Sequence, residues 1–353
     1  MTIWALILFV GESHAEVIYS SRFGLNQVTC PAASDTHVSV PFLRLPVVFR
    51  GKVAAISAGP SGTAVVTSSG NPSWTAGALA GVCYVRILDG VLAGHWLEIS
   101  ANSSTSLTVD LAGLPSGNLA AGDRFLVLRH WTLDSLFPPA EQTTVHISSG
   151  NLPFQQKTKV LLPDLGGSGV DLPADSVCFL TASGWKLSAP GFPSAGSLVI
   201  PPGSTLIIRH PGGVADTVFM PRGEVLMEKD AVLLATRSSG PQDNDVAIHR
   251  PVSVRLSEAG LDTGAFLAST GHDAAQRKDE LLVFDNTAVG FNKPASAVYY
   301  RVGSTWYRDT GAGAANPVAN NDFAFPAAGA AIIRKATSPT AAVWTNTATY
   351  SQP

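Results

Sequence analysis

The segment LPADSVCFLTASGWK, residues 172–186, is echoed by KPASAVYYRVGSTWY at residues 293–307. When the two are aligned at a displacement of 121 residues, Trp185 falls on Trp306. Each copy has an apolar run and then Ser-Gly or Gly-Ser within three residues before the Trp, which is typical of a β-hairpin. A Trp at the same place in both copies predicts a ring buried in the core of each hairpin.

The correspondence continues on both sides of the hairpin. After an insertion of four residues in the second copy, PPGSTLIIR (201–209) aligns with PAAGAAIIR (326–334), so that Arg209 matches Arg334. A Pro and a Gly before an apolar run predict a tight turn that leads into a strand. The sequence therefore predicts an internal repeat of about 120 residues, in which the Trp and Arg positions hold each copy together.

The composition predicts an all-β protein. Only 14% of the 353 residues are charged and 45% are hydrophobic, with 33 Gly and 24 Pro. Short runs of Val, Thr, Phe and Ile are separated by Gly, Pro, Asn and Asp, and such runs are typical of strands and turns. Brief helical turns are expected only at residues 133–141 and 255–264.

A chain of this length is expected to form more than one domain. The prediction is a set of tandem β-sandwich-like units, with an N-terminal β domain at 16–130, a first repeat unit at 131–240 and a second at 241–353. A net charge of −3 without a basic stripe excludes nucleic acid as an expected partner and gives no polybasic membrane patch.

The first residues predict export. An apolar run at 3–10 is followed by Ser13-His14-Ala15, and small residues at these positions fit a signal peptide of residues 1–15. No Lys or Arg precedes the run, which departs from the usual signal pattern. The expected location is extracellular, secreted or at the cell surface, with no membrane span after removal of the signal.

Two carboxylates form the strongest candidate for a metal site. Asp243 and Asp245, in the pattern Asp-Asn-Asp, resemble part of a calcium loop, because Ca²⁺ is bound by several carboxylate and carbonyl oxygens. The downstream Gly and Glu of an EF-hand are missing, and a turn whose Asx side chains cap its own main chain is the favoured alternative. The expectation is therefore no cofactor, with calcium kept as the alternative.

Aromatic residues of the second copy are candidates for a glycan platform. Tyr299, Trp306 and Tyr307 lie close together in sequence, and aromatic rings stack on sugars. Packing in the core is the favoured alternative, because large aromatic residues contribute most of the buried apolar area of a core. A hydrolase would need paired carboxylates, and Glu98, Asp134, Glu141 and Asp285 are available, but the sequence does not pair them.

Several blocks together resemble a family of exported, β-rich proteins from verrucomicrobial-type bacteria that has no established activity. These blocks are SDTHVSVPFLRLPVVFRGKV, WTLDSLFP, QDNDVAIHRP and RKDELLVFDNTAVGFNKPASAVYY. The resemblance covers residues 17–350 and implies secretion and a β-rich fold. It brings no catalytic residue to assign.

The expected function is that of an exported structural or adhesive protein: a cell-surface coat, matrix or filament subunit without a catalytic site. Low charge, tandem β units and the absence of a catalytic motif favour this hypothesis. Expected partners are other copies of the chain, through sheet edges or the N-terminal strand EVIYSSRFGL, or a polysaccharide. The alternative is a secreted carbohydrate-binding module.

Overall fold

The computed structural model describes residues 22–60, 62–114, 116–262, 264–309 and 321–348. The predicted signal peptide, residues 1–15, lies outside the described residues. Almost all regular structure is antiparallel β, which confirms the predicted all-β class. The helical part consists of the single turn α1 (Leu133–Leu136) and of short 3₁₀ turns, namely Ser116–Asn118, Pro153–Gln155, Leu256–Glu258 and Ala274–Gln276.

A closed barrel is formed by six strands near the start of the chain. Four short strands precede it: β1 (Phe23–Leu25), β2 (Val28–Cys30), β3 (Ser34–Ser39) and β4 (Phe42–Leu43). The barrel strands are β5 (Phe49–Ala58), β6 (Thr63–Ser68), β7 (Cys83–Ile87), β8 (Trp96–Asn102), β9 (Ser106–Asp110) and β10 (Arg124–Arg129). They close in the order β10-β5-β6-β9-β8-β7, and the alternating side chains of Val, Ile and Leu fill the interior.

The chain after the barrel forms a five-stranded antiparallel sheet, which we call the first sheet. Its segment contains β11 (Trp131–Thr132), β12 (Lys159–Pro163), β13 (Ala174–Thr181), β14 (Gly184–Leu187), β15 (Val199–Ile200), β16 (Thr205–His210), β17 (Thr217–Phe219) and β18 (Arg222–Val225). The first sheet has the order β14-β13-β12-β16-β3. Strand β3 therefore joins it from before the barrel, and the barrel is inserted between strands of one body.

The last part of the chain forms a second five-stranded sheet. Its segment contains β19 (Asp230–Leu234), β20 (Gln242–Val246), β21 (Val254–Arg255), β22 (Glu280–Val283), β23 (Ala297–Val302), β24 (Thr305–Arg308), β25 (Phe323–Phe325), β26 (Ala331–Lys335) and β27 (Ala342–Asn346). The second sheet has the order β24-β23-β22-β26-β20. These strands correspond in turn to β14, β13, β12, β16 and β3 of the first sheet, so the two sheets have the same strand order. Duplication as the origin of this correspondence stays a prediction.

Strand pairing does not follow the three predicted segments. Strand β3 belongs to the first sheet although it lies within 16–130, and β19 pairs with β27 although it lies before residue 241. No local pattern indicates either pairing, because each joins residues far apart in the chain. The division of the chain into independent domains stays a prediction.

Both Trp positions of the repeat are buried in the core. Trp185 is 1% exposed and its indole N–H donates to the carbonyl of Phe137 at 3.2 Å. Trp306 is 6% exposed and packs against Phe266, with ring centroids 4.9 Å apart. The three Cys thiols are free and buried.

Each of the two predicted Arg positions binds a carboxylate within its own sheet and also reaches the other sheet. Arg209 of β16 donates two hydrogen bonds to Asp35 of β3, at 2.6 and 2.7 Å. It also reaches across to the Oδ1 of Asn292, at 2.6 Å, in the loop that follows β22. The N–H of Asn292 in turn donates to Asp35 at 2.7 Å.

The second sheet makes the same contacts in the opposite direction. Arg334 donates to Asp243 at 2.7 and 2.9 Å and to Asp171, in the loop that follows β12, at 2.9 Å. The N–H of Asp171 donates back to Asp243 at 2.9 Å. We call these two reciprocal sets of contacts the clasp; they relate the sheets as the two halves of an isologous dimer.

The barrel is attached by a buried charge cluster to β19, which packs on the core of the second sheet. Arg86 of β7 donates to the carboxylate of Asp230 at 2.8 Å, and His249 lies 2.8 Å from the other oxygen of that carboxylate. Burial alone raises the pKa of Asp230, but the neighbouring His249 and Arg86 lower it well below its usual range. The barrel and the second sheet are therefore held in a fixed relation, as are the two sheets.

Candidate functional site: a cleft between the barrel and the two sheets

A cleft of about 290 Å³ opens where the barrel and the two sheets meet. The barrel contributes Trp96 and Leu114, and the first sheet contributes the loop around Leu165 and the turn at 201–204. The last part of the chain contributes β20 of the second sheet and part of the neighbouring β19. A site assembled from three bodies is a typical place for a ligand, because loops from separate bodies converge there.

The walls of the cleft combine apolar surface with acidic groups. Five carboxylates line it, namely Glu98, Asp110, Asp164, Asp243 and Asp245, and no Lys or Arg is among the described residues that line it. Arg334 balances the charge of Asp243 from within the clasp. The other carboxylates give the cleft a negative potential that low-dielectric walls focus, which favours a ligand that carries positive charge.

Asp245 is the most perturbed carboxyl group of the cleft. It lies on β20, and the hydroxyl of Thr205, on β16 of the first sheet, donates to its Oδ1 at 3.2 Å. Burial raises the pKa of Asp245 to about 6, and the nearby charge of Asp243 adds to the rise. Asp245 therefore changes charge close to neutral pH.

The two carboxylates predicted as a calcium pair have different partners. Alternation along β20 directs Asp243 and Asp245 to the same face of the strand, but both oxygens of Asp243 are engaged by Arg334 in the clasp. Within the described ranges, no group of three or more His, Cys, Asp or Glu side chains is arranged to hold a metal ion. The segment of Asp243 and Asp245, for which an Asx-rich turn was the favoured alternative, lies in strand β20 instead.

The outer edge of β20 is open at one residue. The N–H groups of Asp243 and Ala247 point away from β26 and donate to the carbonyls of Gly169 and Gly203, at 2.8 and 3.1 Å. By alternation, the N–H and C=O of Asp245 point the same way. Across the described residues, neither group has a hydrogen-bond partner on that side, and we call this pair of groups the open edge.

The predicted aromatic platform is not assembled at the surface. Tyr299 is 4% exposed and its hydroxyl donates to Asp322 at 2.8 Å, and the ring of Trp306 is buried in the core of the same body. Tyr307 is half-buried and packs edge-on against His272, with ring centroids 4.6 Å apart. Glycan binding by these residues stays a prediction.

The carboxylates considered for hydrolysis are dispersed. Glu98 lines the cleft, whereas Asp134 lies in the first turn of α1 and Glu141 lines a separate cavity. Asp285 accepts hydrogen bonds from Thr287 in its own turn. Sequence reasoning missed Asp110, at the end of β9, and Asp164, directly after β12, because no local pattern places these two strand ends beside β20.

The chain matches no family model, no curated protein and no solved structure. The resemblance to an exported bacterial family therefore stays a prediction. No helix in the described part of the chain is long and apolar enough to cross a membrane.

Proposed function

We propose that this protein is an exported adhesive protein that holds a partner in the cleft and does not catalyse a reaction. The observation that carries the proposal is the composition of the cleft: carboxylates and apolar side chains from three bodies face one space. Such a lining binds by charge and by burial of apolar surface, and both contributions act without a nucleophile or a metal.

The attachment of the three bodies supports binding rather than motion. Asp35 and Asp243, which anchor the clasp, have side chains only 1% and 6% exposed, and Arg86 of the barrel is fully buried. Separating the barrel from β19 would leave the buried charges of Arg86 and Asp230 without each other, which costs several kcal/mol. Separating the two sheets would remove the hydrogen bonds that Asp35 and Asp243 accept from the opposite loop. The cleft is therefore preformed, and preformed sites bind with a smaller entropy cost.

The experiment measures retention of the chain from Glu16 onward on immobilised cationic and neutral polymers at increasing salt. The probes are poly-lysine and chitosan, with cellulose as the neutral polymer. The double variant Glu98→Gln, Asp164→Asn should lose most of the retention on the cationic polymers. The matched control Glu141→Gln, Asp262→Asn removes the same charge at exposed sites outside the cleft. Equal retention of both variants would refute the proposal.

Assembly into a coat or filament is the second proposed role, and one observation favours it. Strand β1 pairs with β18 on one side only within the described residues, and its Phe23 and Leu25 are 62% and 51% exposed. A short apolar edge strand is a template for another chain. Deleting residues 16–24 should abolish filaments or sheets in negative-stain electron microscopy; unchanged assembly would refute this role.

A further inference from the structure

The structure contains an occupied counterpart of the open edge. His37 of β3 corresponds to Asp245 of β20, because Asp35 and Asp243 occupy the same position in the clasp. The side-chain amide of Asn286 fills the edge at His37: its Oδ1 accepts from the N–H of His37 and its Nδ2 donates to the C=O, both at 2.8 Å. One carboxamide therefore satisfies both main-chain groups.

Leu165 stands where Asn286 would be needed to close the open edge. Both residues directly follow an Asp, Asp164 or Asp285, whose Oδ1 accepts from the main-chain N–H two residues later. The two loops thus begin with the same turn. Leu165 has no polar group in its side chain, is 52% exposed and lines the cleft, so it leaves the main chain of Asp245 facing that space.

We propose that the open edge at Asp245 binds the side-chain carboxamide of an Asn or Gln in an extended, basic segment of a partner polypeptide. This inference rests on the proposed binding role of the cleft and names the class of its partner. The bound carboxamide accepts from the N–H of Asp245 and donates to its C=O, as Asn286 does at His37. Lys or Arg residues beside it face Glu98, Asp110 and Asp164.

The bonding pattern selects this chemical group. A primary carboxamide presents its C=O and one N–H on the same side, so it can bond the N–H and C=O of a single residue in a strand. A trans secondary amide, such as the acetamido group of an amino sugar, presents its N–H on the opposite side from its C=O. It would satisfy only one of the two main-chain groups.

Amide hydrogen exchange tests the open edge without any ligand. The N–H of His37 should be protected, whereas the N–H of Asp245 should exchange at least tenfold faster than that of its neighbour Val246, which is bonded within the sheet. The variant Leu165→Asn should protect the Asp245 amide by supplying the missing carboxamide. Protection of this amide in the unmodified chain would overturn the proposal.

Binding is measured by fluorescence anisotropy with a short labelled peptide that has one Asn between Lys residues. The unmodified protein should bind this peptide at least tenfold more tightly than the same peptide with Leu in place of Asn. Leu165→Asn should weaken binding of the Asn peptide at least tenfold, while Leu165→Ala, which removes apolar lining but supplies no amide, should weaken it several-fold less than Leu165→Asn does. Equal affinities for the Asn and Leu peptides would overturn the inference.

A chitosan oligomer and an N-acetylated chitin oligomer serve as competitors for the Asn peptide. Displacement of the peptide by the chitin oligomer at lower concentration than by an unlabelled Asn peptide would overturn the choice of a polypeptide. Failure of all peptides to bind would also overturn it, but the proposed function would still stand if Glu98→Gln, Asp164→Asn abolishes retention on poly-lysine. The two failures are therefore distinguishable.

Discussion

The two sheets have the same strand order and the same clasp contacts, but they differ in one buried polar pair. In the first sheet, His210 lies between Thr158 and Thr217, with ring nitrogens 2.8 and 2.7 Å from the two hydroxyl oxygens. In the second sheet the corresponding pair is Asp279 and Lys335, joined by a buried ion pair. A neutral chain of hydrogen bonds and an ion pair thus occupy the same place.

This difference shows what the shared architecture requires. In each sheet the pair joins the residue directly before β12 or β22 to the last residue of β16 or β26. The side chain of Thr158 or Asp279 also accepts a main-chain N–H, from His146 or from Leu267 respectively. The position requires satisfied hydrogen bonds, not charge. Burial lowers the pKa of His210 to about 4, so the first sheet keeps this position neutral at physiological pH.

The largest expected effect comes from breaking the ion pair. Lys335→Met leaves Asp279, which is fully buried, without its cation and should destabilise the protein by about 3 to 5 kcal/mol. The measurement is urea unfolding followed by Trp fluorescence.

The control transplants the pair of the first sheet. The variant Asp279→Thr, Lys335→His, Ala342→Thr supplies the counterparts of Thr158, His210 and Thr217 and should recover most of the lost stability. If it is no more stable than Lys335→Met, the two pairs are not equivalent and the comparison fails.

A smaller effect is expected from each half of the clasp. Arg209→Met and Arg334→Met each remove a bidentate partner from a carboxylate that is almost fully buried, Asp35 or Asp243, and should each cost about 2 to 4 kcal/mol. Because the two halves are built alike, the losses in unfolding free energy should agree within about 1 kcal/mol. A loss confined to one variant would contradict the reciprocal arrangement.

Local patterns in the sequence were sufficient to predict the secondary-structure elements but not the contacts that join them. The hairpin around Trp185, the short helical turns near residues 133 and 256, and the all-β class follow from spacing and turn residues. The Arg209–Asp35 pair joins residues 174 positions apart, and no local pattern indicates such a partner. Recognising the Arg positions was possible, whereas assigning their partners, both in the same sheet and in the opposite loop, required the fold.

The candidate site was predicted less well for a similar reason. Asp243 and Asp245 were identified as a pair, but their neighbours come from the barrel and the first sheet, which the sequence did not place beside them. Tyr299 was a candidate for a glycan platform or for the core, and the residues that pack around it in the second sheet decide that it is buried. Burial is a property of the assembled layers and not of the strand alone.

Replacing Asp245 tests the electrostatics of the cleft. The pKa of Asp245 in the folded protein, about 6, lies above its ordinary value of 3.8, so folding favours the protonated form. Stability from this group is fully present below pH 3.8 and is lost as the pH rises to 6. Asp245→Asn should therefore raise the unfolding free energy by about 1 to 3 kcal/mol at pH 7.5 and have little effect at pH 3.5. A gain that does not depend on pH would contradict this assignment.

The smallest effect comes from making the first sheet resemble the second. Asn286→Leu removes two hydrogen bonds from the main chain of His37 and gives position 286 the side chain that the open edge has at Leu165. The expected loss in unfolding free energy is about 1 to 2 kcal/mol. The amide of His37 should then exchange as fast as that of Asp245. Asn286→Asp is the matched control, because it keeps an acceptor for the N–H of His37 but removes the donor to the C=O. If His37 stays protected in Asn286→Leu, another group closes that edge, and the correspondence between the two edges is wrong.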